Sequence, residues 1–122
     1  MARPVHFEIF ANDPKAAAAF YQQVFGWEIT ACEGPQPYLL VKTGPQEAMG
    51  INGGIGHRSL AQPVINTVAV ESLDAALAKV EAAGGKTVQG PHDIPGIGRH
   101  AYCADPEGTL FGILQPSMRK SG

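Results

Sequence analysis

Apolar and polar positions alternate over residues 4–11, PVHFEIFA, and the segment is rich in β-favouring side chains, which predicts a strand. Asn12-Asp13-Pro14 comes next. Asp13 suits an N-cap and Pro14 the first helical position, so the spacing predicts a helix over 14–25, PKAAAAFYQQVF. Its inner face is expected to be Ala17, Phe20 or Tyr21, and Val24, with Gly26 as a left-handed C-cap. WEITA at 27–31 reads as a second strand and YLLVKT at 38–43 as a third, with a Gly/Pro-rich turn at 34–37 between them. AMGINGGI at 48–55 is a Gly-rich fourth, whose Gly53-Gly54 pair would let another group approach the backbone closely.

Residues 56–62 read as a linker, and then the order restarts. PVINTVAV at 63–70 is a strand and Ser72 an N-cap. Leu73, Ala76, Leu77, Val80 and Ala83 recur at helical spacing before Gly84-Gly85. Strands follow at 86–89, 98–103 and 109–115, the last two joined by Asp105-Pro106-Glu107-Gly108. The halves match at an offset of 59 residues, which sets Val5 on Val64, Ile9 on Val68, Ala17 on Ala76 and Gly26 on Gly85. A half of about 60 residues is marginal alone and needs its twin to bury an apolar face. The expected fold class is therefore α+β. Two tandem βαβββ modules, about 4–55 and 63–116, form one domain over 1–122 with a curved, half-barrel mixed sheet and helices outside. An ordinary α+β domain with accidental symmetry is the alternative.

Composition narrows the function. Net charge is -2 and the pI about 6.0, so no basic stripe invites nucleic acid; Arg119-Lys120 reads as a solvated tail. No window supplies the run of apolar residues, about 20, that a membrane span needs, and no signal peptide is expected. Cys32 and Cys103 form neither a disulfide framework nor a zinc motif, and a reducing cytoplasm fits them best. Charged residues are 16% of the chain, against the roughly 25% usual in soluble domains, which points to a covered surface or to a small neutral monomer.

The segments HFEIFANDPKAAAAFYQQVFGW (6–27), VINTVAVESLDAALAKVEAAGGKTV (64–88) and IPGIGRHAYCADPEGTLFGILQ (94–115) resemble the vicinal-oxygen-chelate superfamily, which joins glyoxalases, bleomycin-resistance proteins and dioxygenases. More narrowly, they resemble its branch of enzymes related to lactoylglutathione lyase. The most specific stretches are FYQQVFGW, KVEAAGGK and DPEG followed by a strand. The resemblance implies a cup for a small-molecule ligand and a homodimer, but no particular reaction.

Metal-using relatives place one ligand on the first and one on the last strand of each module, and the ion polarises paired substrate oxygens. His6 occupies the first such position. The position four residues after DPEG is Gly112, its equivalent by the offset is Gly53, and the partner of His6 is Ile65, beside Asn66. One ligand of four remains, where catalytic zinc sites use three protein ligands. No cofactor is therefore expected. A divalent metal held by His6 and Glu8 is the disfavoured alternative.

Glu8 lies two residues after His6, so His6, Glu8 and Phe10 share a strand face. A carboxylate beside an imidazole raises the imidazole pKa and suits acid–base work, which makes His6 and Glu8 the candidate catalytic pair. A buried polar pair without chemistry is the plain alternative. Phe10, Asn52, Asn66, His100 and Tyr102 are the candidate ligand-binding residues; the strand phase of His100 and Tyr102 stays open. Asn52 and Asn66 also read as turn or strand-end fillers, and Trp27, Phe10, Phe111 and Tyr38 as core. His57 and His92 fall in expected loops, GPHDIPGIG at 90–98 has the make-up of a lid or of a plain connection, and Cys103 reads as structural. These residues point to a small-molecule-binding, glyoxalase-like protein that is a lyase or isomerase on an oxygenated or aromatic metabolite. The alternatives are a non-catalytic drug- or metabolite-sequestering binder and a metal-dependent glyoxalase-type lyase.

Overall fold

The computed structural model describes residues 2–32, 38–59 and 62–117. The turn expected at 34–37, the Cys32 side chain and Arg119-Lys120 lie outside the described residues. The elements in chain order are β1 (Arg3–Ala11), α1 (Pro14–Phe25), β2 (Glu28–Cys32), β3 (Tyr38–Lys42) and β4 (Asn52–His57), then β5 (Val64–Ala69), α2 (Leu73–Ala82), β6 (Lys86–Ile94), β7 (Gly98–Ala104) and β8 (Leu110–Pro116). This is the expected βαβββ order, twice. The chain divides into two compact units near Val5 and Ile65–Asn66.

In the first module the strand order is β2-β3-β4-β1. β1 runs parallel to β4, with Glu8 opposite Gly54 and Phe10 opposite Gly56, and β2, β3 and β4 pair antiparallel. Asp13 caps α1 by accepting the Ala16 N–H at 3.2 Å, and Gly26 closes the helix at φ 73 in the left-handed region. Phe7, Ile9, Val41 and Ile55 form the core with Ala17, Ala18 and Tyr21 of α1, and Trp27 stacks on Tyr21 at 5.1 Å. Ala17 and Tyr21 of the expected inner helix face pack on this core, and Val24 of that face does not. Ala18 is buried, while Phe20 and Val24 face outward.

In the second module the order is β5-β8-β7-β6, with β5 parallel to β8 and the rest antiparallel. Ser72 caps α2 through the Ala75 N–H. Leu73, Ala76, Leu77 and Val80 press onto Ala101, Cys103 and Ile113. Burying a Leu of this kind contributes about 1.5–3 kcal/mol.

Two expectations are corrected. The fourth strand begins at Asn52 rather than 48 and runs through His57 into the expected linker. Gly53, Gly54, Ile55 and Gly56 are all buried there, and all three of these glycines lie under ring side chains, Gly53 under Phe7 and Gly54 and Gly56 under Tyr38. The lid or plain connection expected at 90–98 is mostly strand, and only 95–97 form a turn, between β6 and β7. Residues 86–94 form β6, which pairs with β7 across two register shifts, between Thr87 and Gln89 and between Gln89 and His92. Its proline and glycine are accommodated at those irregularities, at the end of the module's strand order. His57 and His92 are therefore exposed strand residues rather than loop residues. No described helix is long and apolar enough to cross a membrane.

Candidate functional site

Each module has one face packed on its helix, and period-2 alternation sends the intervening residues to the other. In β1, Phe7 and Ile9 take the α1 side, which leaves His6, Glu8 and Phe10 opposite. In β7, Ala101 and Cys103 take the α2 side, which settles the open phase: His100 and Tyr102 face away from the helix.

Tyr38 joins the first group. Its hydroxyl donates to Glu8 Oε2 at 2.9 Å and lies 3.3 Å from His6 Nε2. The expected direct His6–Glu8 pair is thus bridged by a phenol. Glu8 is only 9% exposed, so this carboxylate–phenol bond lies in a screened setting. Burial holds the His6 imidazole below its ordinary pKa, and the opposing pull of Glu8 does not overcome it. The expected rise is therefore corrected to a fall: desolvation of the cation outweighs the carboxylate.

The glycines explain how the Tyr38 ring fits. A Cβ on Gly54 would overlap the Tyr38 hydroxyl, and one on Gly56 would stand 3.2 Å from the same ring. Only hydrogen at position 54 lets the ring lie flat on β4. Phe10 borders it, with Cε1 3.5 Å from that point above Gly56.

The second module repeats this plan with other side chains. Glu8 stands opposite Gly54, and Thr67, 59 residues later, stands opposite Gly112. Gly54, not Gly53, is therefore the counterpart of Gly112. The offset falls from 59 to 58 by the last strand, so the equivalence expected for Gly53 shifts by one. Gly56 pairs with Tyr38 and the corresponding Leu114 pairs with His100, so His100 stands where Tyr38 stands. A Cβ on Gly112 would meet Thr67 Oγ1 at 2.8 Å and His100 Nε2 at 2.9 Å. Tyr102 meets the His100 ring edge-on at 4.5 Å, and His92 lies 5.2 Å from it.

Of the remaining candidates, Asn52 stands opposite His6 and shares its face by register, whereas Asn66 is not brought to the site face of its module. Asn52 Oδ1 accepts from the Thr43 N–H at 2.9 Å, a strand-end tie. Asn66 is exposed and alternates with the buried Ile65 and Thr67, so it takes the opposite face of β5. Cys103 is fully buried, and desolvation raises its thiol pKa, which leaves it a structural residue. Tyr38 and Thr67 were missed as site residues. The signal for Tyr38 was the Gly-rich run 53–56, whose close approach was foreseen without its occupant.

The glyoxalase/bleomycin resistance protein/dioxygenase superfamily matches residues 3–113. The chain belongs to that superfamily. Among its curated superfamily relatives, "Putative glyoxylase CFP32" of Mycobacterium tuberculosis is 34% identical over 93% of this chain and 44% of its own length. "Anthracycline biosynthesis protein DnrV" of Streptomyces peucetius is 30% identical over 94% of this chain and 47% of its own. The chain thus spans about half the length of the curated relatives it matches. Among solved structures, a Streptomyces coelicolor methylmalonyl-CoA epimerase has the same fold, with a TM-score of 0.73 at 15% identity over 100% of this chain and 99% of that one. A hypothetical protein of Bacillus halodurans has a TM-score of 0.71 at 12% identity over 99% of each chain.

The superfamily's four-ligand metal centre does not fit these residues. Of its positions only His6 carries a donor; Gly54, Ile65 and Gly112 carry none. Among the described residues no three of His, Cys, Asp and Glu stand together to hold an ion. The space above Gly54 and Gly112 is taken by Tyr38 and by Thr67 and His100.

Proposed function

We propose that this superfamily member is a small-molecule enzyme. It performs proton transfer on an oxygenated or aromatic metabolite without the four-ligand metal centre, in the manner of a lyase or isomerase. The observation that carries this is the Tyr38 hydroxyl set between His6 and Glu8, on the face its module turns away from its helix. His6 is kept neutral by burial near pH 7, which suits a general base. Glu8 and Tyr38 supply the means to hold the proton taken up. Phe10 offers an apolar wall on the same face of the first module. The glyoxylase and anthracycline-biosynthesis names of the relatives support a substrate rich in carbonyl or phenolic oxygen. The working form in this reading is a cytoplasmic homodimer, in keeping with a charged fraction of 16%.

The test uses hydroxyacetone in D2O, with NMR following loss of its carbon-bound protons. Catalysed exchange that disappears in His6→Gln is the expected result. No exchange, together with 1,8-dihydroxyanthraquinone binding that survives His6→Gln, would overturn it in favour of a sequestering binder. About one divalent ion per chain by elemental analysis, with exchange abolished by chelator, would overturn it in favour of a metal-dependent lyase.

A further inference from the structure

We propose that Tyr38 is a positioning residue that fixes the tautomer of His6, leaving Nδ1 as the basic atom and Glu8 as the final proton acceptor. The inference deepens the acid–base reading of His6 and rests on it only for its catalytic part.

A phenol has a single O–H. That proton is given to Glu8 Oε2 at 2.9 Å. The Tyr38 oxygen can therefore only accept from His6 Nε2, at 3.3 Å, and a neutral His6 must carry its proton there. The lone pair is left on Nδ1. When Nδ1 takes a proton from a substrate carbon, the Nε2 proton can pass to the Tyr38 oxygen as the Tyr38 proton passes to Glu8. One C–H bond breaks, one Nδ1–H bond forms, His6 ends neutral with its proton on Nδ1, and Glu8 ends as the carboxylic acid. The charge moves from carboxylate to substrate carbanion, and no other reactant is needed.

Two features of the first module build this relay. Gly54 admits the phenol, since any Cβ there would overlap its hydroxyl. The β1 register sets Glu8 opposite that same glycine. The second module lacks both chemical ends. Thr67 replaces the carboxylate and Ile65 the imidazole, so the relay belongs to the first module alone.

The experiment is a long-range proton–nitrogen NMR correlation on the full chain labelled with 15N-histidine, at one pH above the imidazole range. In the unmodified protein the His6 signals should show a protonated Nε2 and an unprotonated Nδ1. Tyr38→Phe removes the acceptor and should shift the tautomer ratio toward Nδ1–H by roughly 3- to 10-fold, the worth of one hydrogen bond. Gly54→Ala, which keeps the phenol but displaces it, should do the same and covers the case in which Tyr38→Phe fails to fold. A His6 protonated on Nδ1 in the unmodified protein, or a ratio that stays within about twofold in both variants, overturns the inference. Absence of hydroxyacetone exchange alongside the tautomer shift would sink the proposed activity and leave the positioning role intact. Where exchange is observed, Tyr38→Phe should lower kcat by about tenfold or more with KM little changed, because the group acts on the proton and not on binding. An unchanged kcat would remove the catalytic part.

Discussion

Gly54→Ala should be among the most damaging single-methyl additions in the first module. The added carbon falls on the Tyr38 hydroxyl, so the ring must leave its place on β4. That movement breaks the bond to Glu8 at 2.9 Å and the contact to His6 at 3.3 Å. A hydrogen bond to a charged group is worth about 1.5–3 kcal/mol and a long neutral one about 0.5 kcal/mol. Alanine stiffens the unfolded chain and returns about 0.4–1 kcal/mol. The net loss is about 1–3 kcal/mol. For 122 residues, at roughly 2.1 cal/mol/K of unfolding entropy per residue, this lowers Tm by about 4–12 °C. Calorimetry and urea unfolding read it directly. Gly44→Ala is the control: a Cβ there meets nothing within 4 Å, and the change should stay within about 0.5 kcal/mol. In a Tyr38→Ala background, where the ring is gone, Gly54→Ala should cost less than about 0.5 kcal/mol. An equal loss with and without the ring would refute the reasoning, since the glycine would then serve the backbone and not the phenol.

Two further outcomes follow from the same geometry. Gly112→Glu, which restores a carboxylate at a superfamily ligand position, should lose stability by about 2 kcal/mol or more and gain no metal, because Thr67 Oγ1 and His100 Nε2 stand 2.8 and 2.9 Å from its Cβ; a stoichiometric ion by elemental analysis would contradict this. Stability should rise with pH through the window below 6.5. His6 has a lowered folded pKa, so the unfolded chain binds the extra proton first as pH falls and the folded state loses ground; urea midpoints at several pH values, compared with His6→Gln, should show the slope shrink in the variant.

The fold was legible because its signals are local and repeated. Asp13-Pro14 and Gly26 mark the ends of α1 by capping chemistry alone, and Ser72 does the same for α2. Alternation gave β1 its two faces and put His6, Glu8 and Phe10 together. What failed was whatever depended on a partner distant in sequence. Tyr38 looked like core because nothing in its own segment shows that Gly54, sixteen residues on, clears a place for its hydroxyl. Asn66 looked like a ligand group until pairing gave Thr67 the site-side phase of β5. The 90–98 stretch looked like a loop because proline and glycine weigh heavily in local reasoning, whereas an edge position with bulges tolerates both. The equivalence of Gly53 slipped by one because only ladder register, not a fixed offset, shows where the copies lost step.

β6 has a consequence for life at high concentration. It ends its module's strand order, so one margin of its backbone has no neighbour within that module. Pro91 contributes no N–H to that margin, the two bulges break its straight line, and Lys86 and Asp93 are set at either end, both exposed. A strand of another molecule would find no continuous ladder to extend. The irregularity that spoiled the simple reading of this segment thereby guards the protein against templated aggregation, and straightening it with Pro91→Thr would trade that protection for a more regular hairpin.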